Sequence, residues 1–308
     1  MKIIKSKFAV IFFPALMLIF ASCVKEAELG TKDNPVKFYF TPSVDSETIT
    51  SNSQEFMKFM EKETGLFFKT AVPASYIAVV EAFGSKRADV AVMNSFGYLL
   101  ANQKYGAKAR LTVVRYGEKV YKGQIIVRTD SGINGLADLN GKNFAFTDAS
   151  STSGYLFPLK ILNEASIKLA NSVFAMKHDN VVTMVYQKQV DAGATFYSPP
   201  GADGVPRDAR ARVVTQFPDV FEKIKILQIT DDILNDPFVF RKDLPEELSE
   251  RIIAAIFKFI ETEEGKKIFS NIYSVEGVAK ATDSDYDGLR KMVEINKIDP
   301  IELMKEKK

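Results

Sequence analysis

The chain has almost none of the residues that metal or thiol chemistry needs. Its 308 residues include one histidine, His178, and one cysteine, Cys23. That excludes the usual zinc constellations, which draw several ligands from Cys and His. The lone cysteine also excludes an internal disulfide. A surplus of charge is missing too. The formal net charge is +2, and three of the 41 basic residues (Lys2, Lys5 and Lys7) precede Cys23. Without them, 38 basic residues face 39 acidic ones. Such a near-neutral body argues against nucleic-acid binding, which needs a basic face. The chain has no G-x-x-x-x-G-K-[ST] phosphate loop and no G-x-S-x-G nucleophile elbow. Internal repeats and low-complexity runs are absent as well.

What is present begins with an export signal. The N-terminus, MKIIKSKFAVIFFPALMLIFASC, opens with lysines and has an apolar core from Phe8 to Phe20. It ends on the small residues Ala21 and Ser22. This pattern predicts a secretory signal peptide over residues 1–22, too short for a comfortable membrane span. The segment FASC resembles the lipobox of bacterial lipoproteins, with Phe20 in place of the usual Leu. On that resemblance Cys23 is lipidated and residues 23–35 form a tether. The expected location is extracytoplasmic, with the body anchored to a bacterial membrane.

The remainder reads as α/β. Hydrophobic residues make up 46% of the chain, enough for sizeable cores, and the length suits two domains. Apolar strands such as VKFYF, ADVAVM, NFAF and DAGATF alternate with amphipathic helical stretches. That alternation predicts mainly parallel sheets covered on both faces. In the stretch 51–65, Phe56, Phe59 and Met60 share one helical face and Gly65 supplies the C-cap. The segment SPPGADGVPRDARAR (198–212) reads as a polar surface loop with solvated arginines, and anion steering as the alternative.

One corner stands out. In FTDASSTSGYLFP (146–158) a strand runs into Ser151, Thr152, Ser153 and Gly154, then into a helix expected to open at Ser153. Ligands of open α/β sheets sit beyond the carboxyl ends of the strands. A helix starting there offers unpaired N–H groups and the positive end of its dipole. Three hydroxyls add donors, and Gly154 is expected to admit the backbone close to a ligand. A helix cap is the plainer reading, because Ser and Thr cap helices routinely. Catalytic readings are weaker. A serine hydrolase using Ser151 or Ser153 with His178 lacks any specific motif, so no enzyme and no cofactor are expected.

With the corner placed, the chain resembles a known family: the phosphate, phosphite and phosphonate substrate-binding lipoproteins of ABC transporters. The carriers are SYIAVVEAF, ADVAVMNSFGYLLA, YKGQIIVRTDSGI, LADLNGKNFAFTDASSTSGYLFP, MKHDNVVTMVYQKQVDAGAT and LNDPFVFRKDLP. The resemblance implies a two-lobed periplasmic-binding-protein fold of type II. Lobe 1 is expected over 36–120 plus 228–308 and lobe 2 over 121–227, with crossings near Glu118–Gln124 and Ile226–Asp232. It implies ligand contacts from Ser151, Thr152 and Ser153, and maps family residues onto Tyr76, Tyr121, His178 and Asp236. Asn94 and Ser95 face the cleft by topology. Phe196, Tyr197 and Ser198 stand where aminophosphonate binders carry polar or acidic residues, and Tyr197 joins the candidate contacts. The implied partners are a small phosphorus oxyanion and the permease and ATPase subunits of an importer, with the binding protein a monomer. A surface lipoprotein with an adhesive or interaction role is the rival.

Overall fold

The computed structural model describes residues 27–202 and 204–295. The expected signal peptide and Cys23 lie outside the described residues. No helix among the described residues is long and apolar enough to cross a membrane.

The chain builds two sheets. The first takes β1 (Val36–Phe40), β2 (Phe68–Ala71), β3 (Val90–Val92) and β4 (Lys108–Val114). The chain then enters the second sheet as β5 (Val120–Arg128). It continues through β6 (Asn143–Phe146), β7 (Asn171–Phe174), β8 (Ala192–Tyr197) and β9 (Ile224–Leu234). It returns to the first sheet as β10 (Pro237–Phe240) and adds β11 (Gly277–Lys280) at its edge. The strand orders are β11-β4-β10-β3-β1-β2 and β7-β6-β8-β5-β9. In the first lobe the helices are α1 (Ser46–Thr64), α2 (Tyr76–Gly84) and α3 (Ser95–Tyr105). The second lobe carries α4 (Phe157–Glu164), α5 (His178–Tyr186) and α6 (Val220–Lys223). The returning chain adds α7 (Glu246–Glu261), α8 (Glu263–Tyr273) and α9 (Asp287–Ile295).

The α/β, two-sheet reading holds, but the sheets are mixed rather than mainly parallel. Strands β2, β1 and β3 pair in parallel, as do β7, β6 and β8. The crossing strands β5, β9 and β10 pair antiparallel. A chain that leaves one sheet and comes back must re-enter it in the opposite direction, and its hydrophobic run does not reveal that. The return crossing lies between Leu234 and Pro237, later than Ile226–Asp232, because β9 stays hydrogen-bonded to β5 as far as Leu234. The side chain of Asn235, fully buried there, donates to the carbonyl of Glu118 and staples the two crossings together.

Local sequence explains the frame. Asp45 caps α1 by accepting the Thr48 N–H at 2.9 Å, and Gly65 ends it in the left-handed region at φ 67°. Val36, Phe38 and Phe40 alternate along β1 and point to one buried face. There Phe38 meets Phe56 of α1 edge-on at 5.5 Å, and Phe56 meets Phe259 of α7 at 4.9 Å. Each phenylalanine so buried stabilises the fold by about 1.5–3 kcal/mol. The opposite face of the first sheet packs on α2 and α3. Its core continues across to Leu156 and Phe157 at the start of α4, so the two lobes share apolar contact beside the corner.

Candidate functional site

The corner is more elaborate than a helix opening at Ser153. Beyond β6, Asp148 is fully buried, and its Oδ1 accepts both the backbone N–H and the hydroxyl of Ser150. Residues Thr152–Leu156 then form a wide π-helical turn, and α4 proper begins at Phe157. The N–H of Leu156 reaches the carbonyl of Ser151 at 3.0 Å. Such single wide turns concentrate at functional sites. Pro158 sits at the start of α4, where a missing N–H costs nothing.

The three hydroxyls take three different roles. Ser151 caps the turn by accepting the Gly154 N–H at 3.1 Å. Accepting leaves its O–H free to donate, so capping and anion binding are compatible here. Ser153 neighbours the buried Tyr121 phenol, and it lines the cavity with Ser151. Thr152 does not line it. Its hydroxyl turns to the other lobe and accepts the Phe96 N–H at the start of α3 at 2.9 Å. Gly154 serves packing rather than ligand approach, because a Cβ there would collide with the side chain of Thr147.

Across the corner stands the N-terminus of α3. Asn94 caps it with Oδ1, accepting the Gly97 N–H at 3.2 Å, while its amide donates to the Ser150 carbonyl of the second lobe. Ser95 is fully buried with its hydroxyl 3.3 Å from that of Thr152, and it too lies off the cavity wall. Between the lobes is a cavity of about 60 Å³. Of the residues expected from the sequence, it brings together Tyr76, Asn94, Tyr121, Ser151, Ser153, His178 and Asp236. Tyr197 is on the wrong side. Side chains alternate along β8, so Phe196 and Ser198 face the cavity and Tyr197 points away.

Tyr76 is 2% exposed, and its phenolic oxygen has no hydrogen-bond partner among the described residues. A buried hydroxyl left unpaired is costly in a folded protein. Burial, with Asp148 and Asp236 nearby, pushes the phenol well above its ordinary pKa, so it stays a neutral donor. His178 opens α5, and its Nδ1 lies 3.1 Å from the Thr147 hydroxyl and 2.9 Å from that of Thr195. Burial and then the positive charges of Arg212 and Arg115 lower its pKa to about 3, so the ring is neutral near pH 7. Threonines hold Nδ1 where a hydrolytic triad places a carboxylate, so the serine-hydrolase arrangement is not assembled on this histidine.

Sequence reasoning did not place Arg115 in the site, and it gave the loop arginines anion steering only as the alternative. Arg115, at the end of β4, spends its guanidinium on the protein. Nε donates to the Tyr273 carbonyl, Nη1 to Asn235 Oδ1, and Nη2 to Asp236 Oδ2 at 2.6 Å. Asp236 therefore already has its cationic partner. Arg207 and Arg212, expected on a solvated loop face, line the cavity as well. Arg207 stacks over the Tyr116 ring at 4.2 Å. Arg212 reaches across the rim to donate to the Ser274 hydroxyl of the first lobe at 2.9 Å. A charged residue ending an apolar strand was a usable signal for Arg115. Nothing local marks the loop arginines, whose position depends on how the 198–212 segment folds back.

Two lobes, joined by two crossings and enclosing a cavity at the carboxyl ends of their strands, define a type II substrate-binding protein of the ABC-transporter kind. The model of the ABC-transporter phosphonate periplasmic substrate-binding proteins matches residues 38–286, and the chain belongs to that family. It is similar to the phosphate-import protein PhnD of Mycolicibacterium smegmatis, with 27% identity over 82% of this chain and 83% of that protein. It is also similar to the phosphonates-binding periplasmic protein of Escherichia coli, with 22% identity over 83% and 75% of the two chains. Among solved structures, PhnD1 of Prochlorococcus marinus in complex with methylphosphonate shares the fold. The TM-score is 0.73 at 20% identity, covering 85% of this chain and 98% of that one. The relatives are transport binding proteins, and the family works in the periplasm, so this chain acts outside the cytoplasm.

Proposed function

We propose that the chain is a lipid-anchored solute-binding protein that captures a phosphorus oxyanion (phosphonate, phosphite or phosphate) in the interlobe cleft and presents it to a permease. The observation that carries this reading is a set of hydroxyl donors from both lobes facing one cavity. The capping Ser151 hydroxyl and Ser153 sit on one lobe, and the unpaired Tyr76 phenol on the other. The anion docks at the π turn, and closure brings Tyr76 over it. Excluding water lowers the local dielectric and strengthens each bond. Closure is then a population shift favoured by the ligand, and the closed form is what a permease distinguishes. Asn94 and Ser95 act in closure through their contacts with the corner. Cys23 supplies the anchor.

The relatives named for phosphate and phosphonate, and the methylphosphonate complex of the P. marinus protein, support this ligand class. A thermal-shift series with methylphosphonate, phosphite and phosphate tests it. A ligand at 100 times its Kd adds about 2.7 kcal/mol to the folded state, which raises Tm by roughly 4–5 °C for a chain of this size. No shift with any of the three would overturn the reading.

A further inference from the structure

Three arginines and one aspartate are the lining groups of this cleft that carry formal charge at neutral pH. Arg115 and Asp236 cancel each other. Two positive charges remain, on Arg207 and Arg212. Among the described residues neither has a carboxylate within ion-pair distance, whereas Arg210 of the same loop is paired with the buried Asp208 at 2.8 Å. Arg212 is exposed at the rim, where it donates to the Ser274 hydroxyl. Asp179 attracts it only from beyond ion-pair range. The loop thus delivers a cation to the cleft rim without a directly paired carboxylate.

Resting on the oxyanion reading above, the geometry points to Arg212, backed by Arg207, as the device that restricts the cleft to doubly charged oxyanions. A phosphonate or phosphate dianion balances the two cations. An isosteric monoanion such as a sulfonate offers the same three oxygens to Ser151, Ser153 and Tyr76 but leaves one cation of the cleft uncompensated. Hydroxyl donors also favour the more basic dianion, through stronger charge-assisted hydrogen bonds. The arginines add a further preference that follows the ligand's net charge, and a ligand bearing an ammonium group is disfavoured on the same ground.

The test is a pair of titrations on the whole exported chain, with methylphosphonate and methanesulfonate as probes. The pH is set above the second ionisation of the phosphonate. The wild type is expected to prefer methylphosphonate on the order of 100-fold. Arg212→Gln is expected to cut that preference about tenfold, mostly through weaker methylphosphonate binding. Arg212→Lys, which keeps the charge, is expected to hold the preference within a few-fold. Equal binding of both probes by the wild type overturns the inference, as does an unchanged preference in Arg212→Gln. If methylphosphonate, phosphite and phosphate all fail to bind, the oxyanion reading falls and this inference falls with it. If methylphosphonate binds and the preference survives in Arg212→Gln, only this inference falls.

Discussion

The hydroxyl of Thr152 in the second lobe accepts the backbone N–H of Phe96 in the first, at 2.9 Å. This bond docks the N-terminus of α3 on the corner that carries Ser151 and Ser153. Leaving a buried N–H unsatisfied costs about 1–3 kcal/mol. Thr152→Val keeps the shape and removes the acceptor. It is expected to destabilise the closed arrangement and raise the apparent Kd for methylphosphonate about tenfold. Small-angle scattering with saturating ligand is expected to give a larger radius of gyration than for the wild type. Unchanged affinity and radius would refute a latch role for Thr152.

Tyr76→Phe separates binding from packing. The phenolic oxygen has no partner among the described residues, so its loss takes nothing from the ligand-free fold. Urea unfolding is expected to show equal or greater stability. A hydrogen bond to a charged acceptor is worth about 1.5–3 kcal/mol, so Kd for methylphosphonate should rise roughly 10–100-fold. A variant that is destabilised and binds normally would make Tyr76 a packing residue.

Arg115 and Asp236 form a pair whose side chains are 11% and 17% exposed. Removing one member of a buried pair leaves the other charge uncompensated. Arg115→Gln is expected to cost about 3 kcal/mol in urea unfolding and to weaken anion binding, because Asp236 then repels the ligand. The double change Arg115→Gln with Asp236→Asn is expected to recover most of the lost stability. A double variant no more stable than the single one would show that the pair is not coupled.

His178 gives the fold an acid sensitivity of definite sign. Its pKa is lowered to about 3 by burial, whereas in the unfolded chain it is about 6.5. Between those values the unfolded chain binds a proton that the folded chain refuses. The stability that His178 contributes is therefore complete above about pH 6.5 and is lost as pH falls toward 3. His178→Asn is expected to flatten the stability profile across that window, measured by urea midpoints at several pH values. A profile identical to the wild type would mean that the histidine titrates normally.

Much of this was legible in the chain itself. Helix caps, alternation along β1 and the hydroxyl cluster after β6 are local signals, and they put the corner in the right place. The rest depended on contacts between distant segments. The hydroxyls at 151–153 look equivalent in sequence, but the wide π turn fans them apart, so Thr152 meets Phe96 while its neighbours face the cavity. Gly154 looked like a ligand-approach residue and is instead required by Thr147. The phase of β8 decides between Phe196 and Tyr197, and only the sheet sets that phase. The loop arginines carry no periodicity, so the sequence offers anion steering only as the alternative, and their turn into the cleft depends on how the loop folds back.

The most direct test of the account is a crystal structure of the protein grown with methylphosphonate. The account predicts the phosphonate between the lobes, with its oxygens within hydrogen-bonding distance of the Ser151 and Ser153 hydroxyls and the Tyr76 phenol. A cleft without the phosphonate at saturating concentration, or a phosphonate held away from all three, would contradict it.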